Sequence, residues 1–457
     1  MRRPALPTLA LLALLLPPLL SGCRPQEPPD APRTLTVACC DQTSFDHQYR
    51  DYFEAKFPNW RIALVPTYTD EVRSGKIGLA DYLRQKKPDL AILTSFDYLQ
   101  LADAGALRDL GGWMRRDGPA PDDLVPGVAD FLLSNADGKW YGLSPTFAAQ
   151  ALFYNKNLFR LYGVGLPQGP MTWRETMRLA GRFAQQDRTE PDVYGFQMNW
   201  VSSPYDLIQQ IGQTEGVRAF NAQTGAITAD TDAWKSIFRD AVQAFRDGAL
   251  STVEVEGTKT DQGVMYFPED MERMELFKQG KAALSAAQDD LYRKLKASPP
   301  AFEWGVMPGP VNARDPERGG WLLPNFVFAV PRDSSQPEAA WEVIRYFHSE
   351  EMGQIQAALG EGLFSLRDYP QRSGDPDLEA FYRLRPAETV PFNWADTWKI
   401  PIGFQDSFRK LVNDEAGRVL QGTETADEAV RRIQSEGEAL MRQAKEKAKA
   451  EAAPGGG

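Results

Sequence analysis

The sequence predicts an α/β fold built on mainly parallel sheets. Three observations predict it. Strand-prone runs at residues 34–40, 60–66 and 89–93 alternate with helix-length stretches, the strand-helix-strand rhythm of α/β proteins. The third run, Asp-Leu-Ala-Ile-Leu, is short and apolar without alternation, as a strand covered on both faces should be. The 457 residues leave room for two or three folding units at roughly 150 residues each.

The elements follow in order. The first strand runs into Cys39 and Cys40, and a polar loop at residues 41–44 follows. Phe45, Tyr49, Tyr52, Phe53 and Phe57 recur at helical spacing until Pro58 stops the helix. Later helices are marked by capping boxes, in which a hydroxyl and a carboxylate three residues on satisfy the first free N–H groups. Thr172 with Glu175 precedes Met177, Ala180 and Phe183; Ser335 with Glu338 precedes Trp341, Ile344 and Phe347; Thr425 with Glu428 precedes Val430, Ile433 and Met441. Residues 445–457 read as a fraying helix and a flexible tail. No repeat with a period of 20–50 residues is found.

The N-terminus carries a different signal. Arg2 and Arg3 precede an apolar run at residues 5–20, then Ser21, Gly22 and Cys23. That is the pattern of an export signal, and the run is short for a span, which needs about 20 apolar residues. Residues 1–22 are therefore expected to be a cleaved signal peptide. Leu20-Ser21-Gly22-Cys23 resembles the bacterial lipobox, which implies cleavage before Cys23 and lipidation of its thiol. Residues 24–33 hold four prolines, so 23–33 reads as a lipidated cysteine and a semi-rigid tether of about 30 Å at ~3.1 Å per residue. Two acyl chains would hold such a protein on the outer face of the cytoplasmic membrane, or on the periplasmic side if an outer membrane exists.

Composition excludes several functions. Lys plus Arg total 51 against 62 Asp plus Glu, a net charge of −11; nucleic-acid binding, which calls for a basic stripe, is not expected. Only His47 and His348 are available to zinc sites or to His-activated nucleophiles. No G-x-x-x-x-G-K-S/T, G-x-G-x-x-G or H-E-x-x-H motif occurs, so no ATPase activity, cofactor or metal is expected. With Cys23 lipidated, the adjacent Cys39 and Cys40 remain. A disulfide between neighbours is strained, so two buried thiols at a strand end are expected.

Four stretches carry a family likeness. They are Lys87-Pro88-Asp89-Leu90 through Leu110; Asp137-Gly138-Lys139-Trp140-Tyr141-Gly142 through Pro145 with Leu152-Phe153-Tyr154-Asn155-Lys156-Asn157-Leu158-Phe159; Pro170-Met171-Thr172-Trp173-Arg174-Glu175; and Gly280-Lys281-Ala282-Ala283-Leu284 with Ala339-Ala340-Trp341-Glu342. In order and spacing these resemble the extracellular solute-binding proteins of bacterial ABC importers, in the maltose- and sugar-binding branch, over roughly residues 34–445. The resemblance implies a two-lobed periplasmic-binding-protein-like fold with a hinge and an interlobe cleft. One lobe would comprise 34–144 plus 322–368, the other 146–320 plus 377–443, with Ser144, Pro145 and Thr146 as the first hinge crossing. It implies no enzymatic activity. It also implies permease subunits with a cytoplasmic ATPase as partners, a monomeric state, and a small solute as ligand.

Candidate ligand-binding residues come from strand ends and from family position. Asp41, Gln42 and Ser44 follow the first strand; Ser95 and Asp97 follow the third. Family position adds Gln150 past the hinge, Asn199, Trp200 and Tyr205, then Gln288 and Asp290, Trp321 at the second crossing, and Trp394 and Trp398 late in the chain. Sugars offer apolar CH faces and dense hydroxyls, which suit aromatic rings and planar polar groups. Where relatives carry a glycine and a stacking tryptophan, this chain has Gln288 and Asp290, with Tyr292 beyond, so a carboxylate meets either hydroxyls or a cationic solute. Trp60, Trp113, Trp140, Trp173, Trp234, Trp304 and Trp341 read as core or capping residues. Two rivals stand beside the sugar importer: an exported glycoside-active enzyme, which needs a closely set carboxylate pair such as Asp97 with Asp290, and a lipoprotein presenting solute to a membrane sensor.

Overall fold

The computed structural model describes residues 32–451 except 136, 185–192, 222–223, 254, 261–262, 360–361, 388–399 and 402. The signal segment, Cys23, Trp394, Trp398 and residues 452–457 lie outside the described residues.

The strands are β1 (Arg33–Cys39), β2 (Trp60–Pro66), β3 (Leu90–Thr94), β4 (Gly142–Leu143), β5 (Thr146–Asn155), β6 (Tyr194–Gln197) and β7 (Thr258–Thr260). They continue with β8 (Gly263–Met265), β9 (Ala282–Gln288), β10 (Trp304–Met307), β11 (Leu322–Pro324), β12 (Phe326–Ala329) and β13 (Leu363–Phe364). One sheet has the order β2-β1-β3-β12-β4 and a second β10-β5-β9-β6, with β11 and β13 also pairing with β5. Helices cover both, giving the two-lobed α/β architecture.

The expectation of mainly parallel sheets holds for β2-β1-β3 and for β6 beside β9 and is corrected elsewhere. β12 runs antiparallel to β3 and β4, and β5 runs antiparallel to β9, β10, β11 and β13. The cause is connectivity. The chain leaves the first sheet through β4 into the ten-residue β5 and returns through β11 and β12; strands that return beside the outgoing path run against it. Those return strands are two to four residues long, too short to show a period of their own.

The predicted aromatic stripe is core. Gln42–Phe45, the π-turn Asp46–Arg50 and Asp51–Lys56 follow one another without a break. Phe45 meets Tyr49 at 6.0 Å and Phe53 at 5.8 Å, while Phe57 stacks on Trp60 at 4.4 Å. Trp60, Trp173, Trp234 and Trp341 are buried as expected. Trp113 stacks on Trp341 and donates to Glu338 at 2.8 Å.

The capping boxes formed at Thr172 with Glu175 and at Thr425 with Glu428. The box at Ser335 did not. Its helix begins at Pro337, and the Ser335 hydroxyl donates instead to Asp89 at 3.0 Å. Glu338 is drawn away to Trp113 and Arg116. The last helix, Ala426–Glu451, continues well past 445, where fraying was expected.

Asp89 is a buried hub. Its carboxylate accepts from the Thr36, Ser335 and Gln336 backbone N–H groups at 3.1–3.2 Å and from the Gln336 side-chain amide at 3.1 Å. One side chain thus fastens β1, the start of β3 and the helix Pro337–Phe347. Cys39 and Cys40 are free buried thiols with Sγ atoms 2.9 Å apart. Their mutual hydrogen bond holds the Cys39 thiol above its ordinary pKa and the Cys40 thiol below.

The second sheet is seated closely on the helix Trp173–Ala184. A Cβ on Gly195 of β6 would lie 2.0 Å from the Ala180 carbonyl oxygen, and backbone cannot swing aside as a side chain can. Gly195→Ala is therefore expected to lower stability by about 3 kcal/mol, read as a fall in the urea midpoint; an unchanged midpoint would contradict this packing.

Candidate functional site

Three segments pass side by side between the sheets. Ser144 is buried with its hydroxyl 2.7 Å from the carbonyl oxygens of Thr146 and Phe326. The Pro145 carbonyl accepts from Ser365 N at 2.8 Å, and the Thr146 carbonyl from Asn325 N at 3.0 Å. The crossing is thus held by backbone hydrogen bonds that small rotations can preserve.

Beside this crossing, a pocket of about 420 Å³ opens on the middle of β5 and the ends of β6 and β9. Register places Gln150 of β5 opposite Gln288 of β9. Gln150 N donates to the Trp321 carbonyl at 2.8 Å, so the second crossing fixes the first. Gln197 is buried; its amide donates to Asn199 at 2.6 Å and to the Met274 carbonyl at 2.9 Å. Asp290 pairs with Lys294 at 3.2 Å. Its neighbour Asp289 is buried, where desolvation pushes the carboxyl up and Arg293 opposes the shift.

Six of the candidates meet at this pocket: Gln150, Asn199, Trp200, Gln288, Asp290 and Trp321. Its described lining also includes Gln210, Gln213 and Glu275, and contains no Lys, Arg or His. Side-chain amides offer donors and acceptors without net charge, and two indoles offer apolar faces. Two carboxylates, Asp290 and Glu275, share the lining and both pair with Lys294, so it suits a polyhydroxylated molecule and disfavours an anion.

The lobe-one candidates do not line it. Asp41 caps the helix that follows it through the Ser44 backbone N–H, which holds its carboxyl below the usual range, and Gln42 binds Asp46 at 2.6 Å. The Ser95 hydroxyl donates to the Pro324 carbonyl at 2.5 Å, tying β3 to the crossing. Burial pushes Asp97 up, while the Thr94 hydroxyl donates to it at 2.7 Å. Tyr68, exposed after β2, has its phenol pushed up by partial burial and by the charges of Asp97 and Asp41.

Tyr205 departs from its expected place. It is buried in the helix Pro204–Glu215, its ring 6.4 Å from Phe408; the helix turns it into the core, away from the pocket lining. Gln210 and Gln213, three apart on that helix, do reach the lining. Their spacing could have found them. Tyr68 follows the same strand-end rule that selected residues 41–44.

A two-lobed α/β body with a polar, indole-walled pocket at its crossing defines the class of proteins that hold a small solute between lobes. Residues 42–354 match the family described as bacterial extracellular solute-binding protein, and the chain belongs to that family. A curated relative from Brucella abortus (strain 2308), named as a binding protein, is 25% identical over 319 residues, 65% of this chain and 68% of its own. Among solved structures, the sugar-binding protein MalE of Xanthomonas citri superposes with a TM-score of 0.62 at 18% identity, covering 92% of this chain and 100% of the other. The substrate-binding protein Lmo0181 of Listeria monocytogenes in complex with cycloalternan gives 0.55 at 18% identity, covering 90% and 99%.

Proposed function

We propose that this protein captures a sugar or oligosaccharide in the interlobe cleft and delivers it, chemically unchanged, to the permease of an ABC importer. The observation that carries this reading is the pocket beside the crossing, lined among the described residues by amides, indoles and two carboxylates and by no Lys, Arg or His. Ligands of open α/β sheets sit beyond strand ends, and closure of two lobes buries them. The description of the similar Xanthomonas citri structure as a sugar-binding protein, and the cycloalternan named with the Listeria monocytogenes structure, agree with it. In this reading the lobes are 34–144 plus 322–368 and 146–320 plus 377–443, Ser144–Thr146 flexes as the hinge, and Asp41, Ser44 and Asp97 close over the ligand from lobe one. Cys23 carries the lipid anchor, the tether holds a monomer off the membrane, and energy for transport comes from the partner ATPase.

The expected affinity is micromolar-class, about −8 kcal/mol. Ligand should quench or shift tryptophan fluorescence through Trp200 and Trp321. It should also raise the melting temperature with concentration, because it binds only the folded state. A panel of mono- and oligosaccharides run beside peptides, polyamines and organic acids tests this. Responses confined to the non-sugar arms would overturn the carbohydrate reading.

A further inference from the structure

The binding reading makes no use of the thiol pair in the first lobe. Cys39 ends β1, and Cys40 lies in the bend just past it. Neighbours on a strand point to opposite faces. The bend turns the second side chain back, and the two Sγ atoms meet at 2.9 Å. That is less than ~1 Å longer than a disulfide bond of about 2.05 Å. Apart from Cys23, the proposed lipid site, the chain has no other cysteine to compete.

The two sulfurs are not equivalent. Cys39 is fully buried, while Cys40 keeps a 5% exposed edge. The hydrogen bond that raises the Cys39 thiol lowers that of Cys40, so the sulfur a reagent can reach is also the better source of thiolate. The pair also anchors two loops. The Cys39 and Cys40 carbonyls accept from the Thr67 N–H at 2.7 and 3.0 Å, and the Cys40 carbonyl accepts from the Tyr68 N–H at 3.4 Å. Next in sequence, Asp41 caps the helix that starts at Gln42. Residues 41–44 and 67–68 therefore share one footing, the peptide between the two cysteines.

We propose that Cys39 and Cys40 are a reversible oxidation site, closing to a vicinal disulfide that resets these two loops and weakens sugar capture. The effect on the sugar rests on the reading above, in which Asp41 and Ser44 close over the ligand. The oxidant is a low-molecular-weight disulfide of the kind an exported protein meets outside the cytoplasm. The Cys40 thiolate attacks one of its sulfurs, forming a mixed disulfide and releasing one thiol. Cys39 then gives up its proton and attacks the Cys40 sulfur, which expels the second thiol. Two electrons pass from the cysteines to the oxidant, and both protons leave on its thiols. Neighbouring Cα atoms are about 3.8 Å apart, short of the roughly 4.4–6.8 Å that disulfides favour. Closure therefore twists the Cys39–Cys40 peptide and turns the Cys39 carbonyl away from the Thr67 N–H. The same strain makes the bond easy to reduce, so the site switches rather than staples.

The test equilibrates the mature protein with oxidised and reduced glutathione at set ratios, followed by acid quench and tryptic mapping. Residues 34–50 lie between Arg33 and Arg50 without an internal Lys or Arg and hold both cysteines. In the oxidised sample this peptide should lack two hydrogens and carry no glutathione, and dithiothreitol should restore it. Amide hydrogen exchange at residues 67–68 should quicken about 10-fold or more on oxidation. Affinity for the sugar chosen by the panel should fall about 5-fold or more and return on reduction. Cys40→Ser should keep the wild-type circular dichroism and lose both responses. A peptide that stays a dithiol at every ratio, or that stops at a single glutathione adduct, overturns the proposal. So does a disulfide that leaves the exchange or the sugar affinity unaltered. If the disulfide forms and exchange quickens but no sugar binds in either state, the oxidation site stands and the sugar reading falls.

Discussion

Asp89→Ala should lower the free energy of unfolding by about 3–5 kcal/mol, among the largest effects of any single substitution in the first lobe. The carboxylate is 3% exposed and accepts from three backbone N–H groups, those of Thr36, Ser335 and Gln336. Alanine leaves these donors buried without acceptors, at about 1–3 kcal/mol each, offset by whatever water enters. Asp89→Asn keeps the shape and one acceptor oxygen, so it should lose less than half as much. Urea unfolding followed by far-ultraviolet circular dichroism checks both. Equal losses in the two variants would mean that the retained shape and single acceptor oxygen contribute nothing, and that both carboxylate oxygens are needed to hold β1, β3 and the helix Pro337–Phe347 together.

Trp321→Ala should weaken sugar binding by about 10- to 100-fold, 1.4–2.8 kcal/mol, with little effect on the unfolding midpoint. Trp321 is half-buried between the crossing and the pocket. Its backbone carbonyl, which receives the Gln150 N–H, is retained in the variant, so the substitution removes the indole face without releasing the crossing. Trp321→Phe should recover part of the loss, since a smaller aromatic face still stacks. A fluorescence or calorimetric titration reads the effect. Full-strength binding by the alanine variant would remove Trp321 from the ligand's surroundings and leave Trp200 as the pocket's working indole.

What could be read from the chain divides by the range of the forces involved. The helix starts at Thr172 and Thr425 were legible because a capping box is settled within four residues. Ser335 shows the same local pattern, but Asp89, far away in sequence, competes for it and wins. The strands β4, β11 and β13 were not legible, because two or three residues carry no period and exist as strands only through β12 or β5. In the pocket, Gln150, Gln288 and Trp321 were found from family position, and register explains why they meet. Tyr205 was misplaced because a helix turns neighbouring residues about 100° apart, and its own direction is toward Phe408.

The central claim is that the two lobes hold a sugar reversibly and do no chemistry on it. Isothermal titration of the mature protein with the sugar chosen by the panel tests this most directly, with mass analysis of the sugar recovered overnight. The predicted result is heat that saturates at one sugar per chain, with the sugar recovered at its starting mass. Heat that continues at saturation, together with shortened or altered sugar, would contradict the account and make the cleft an active site.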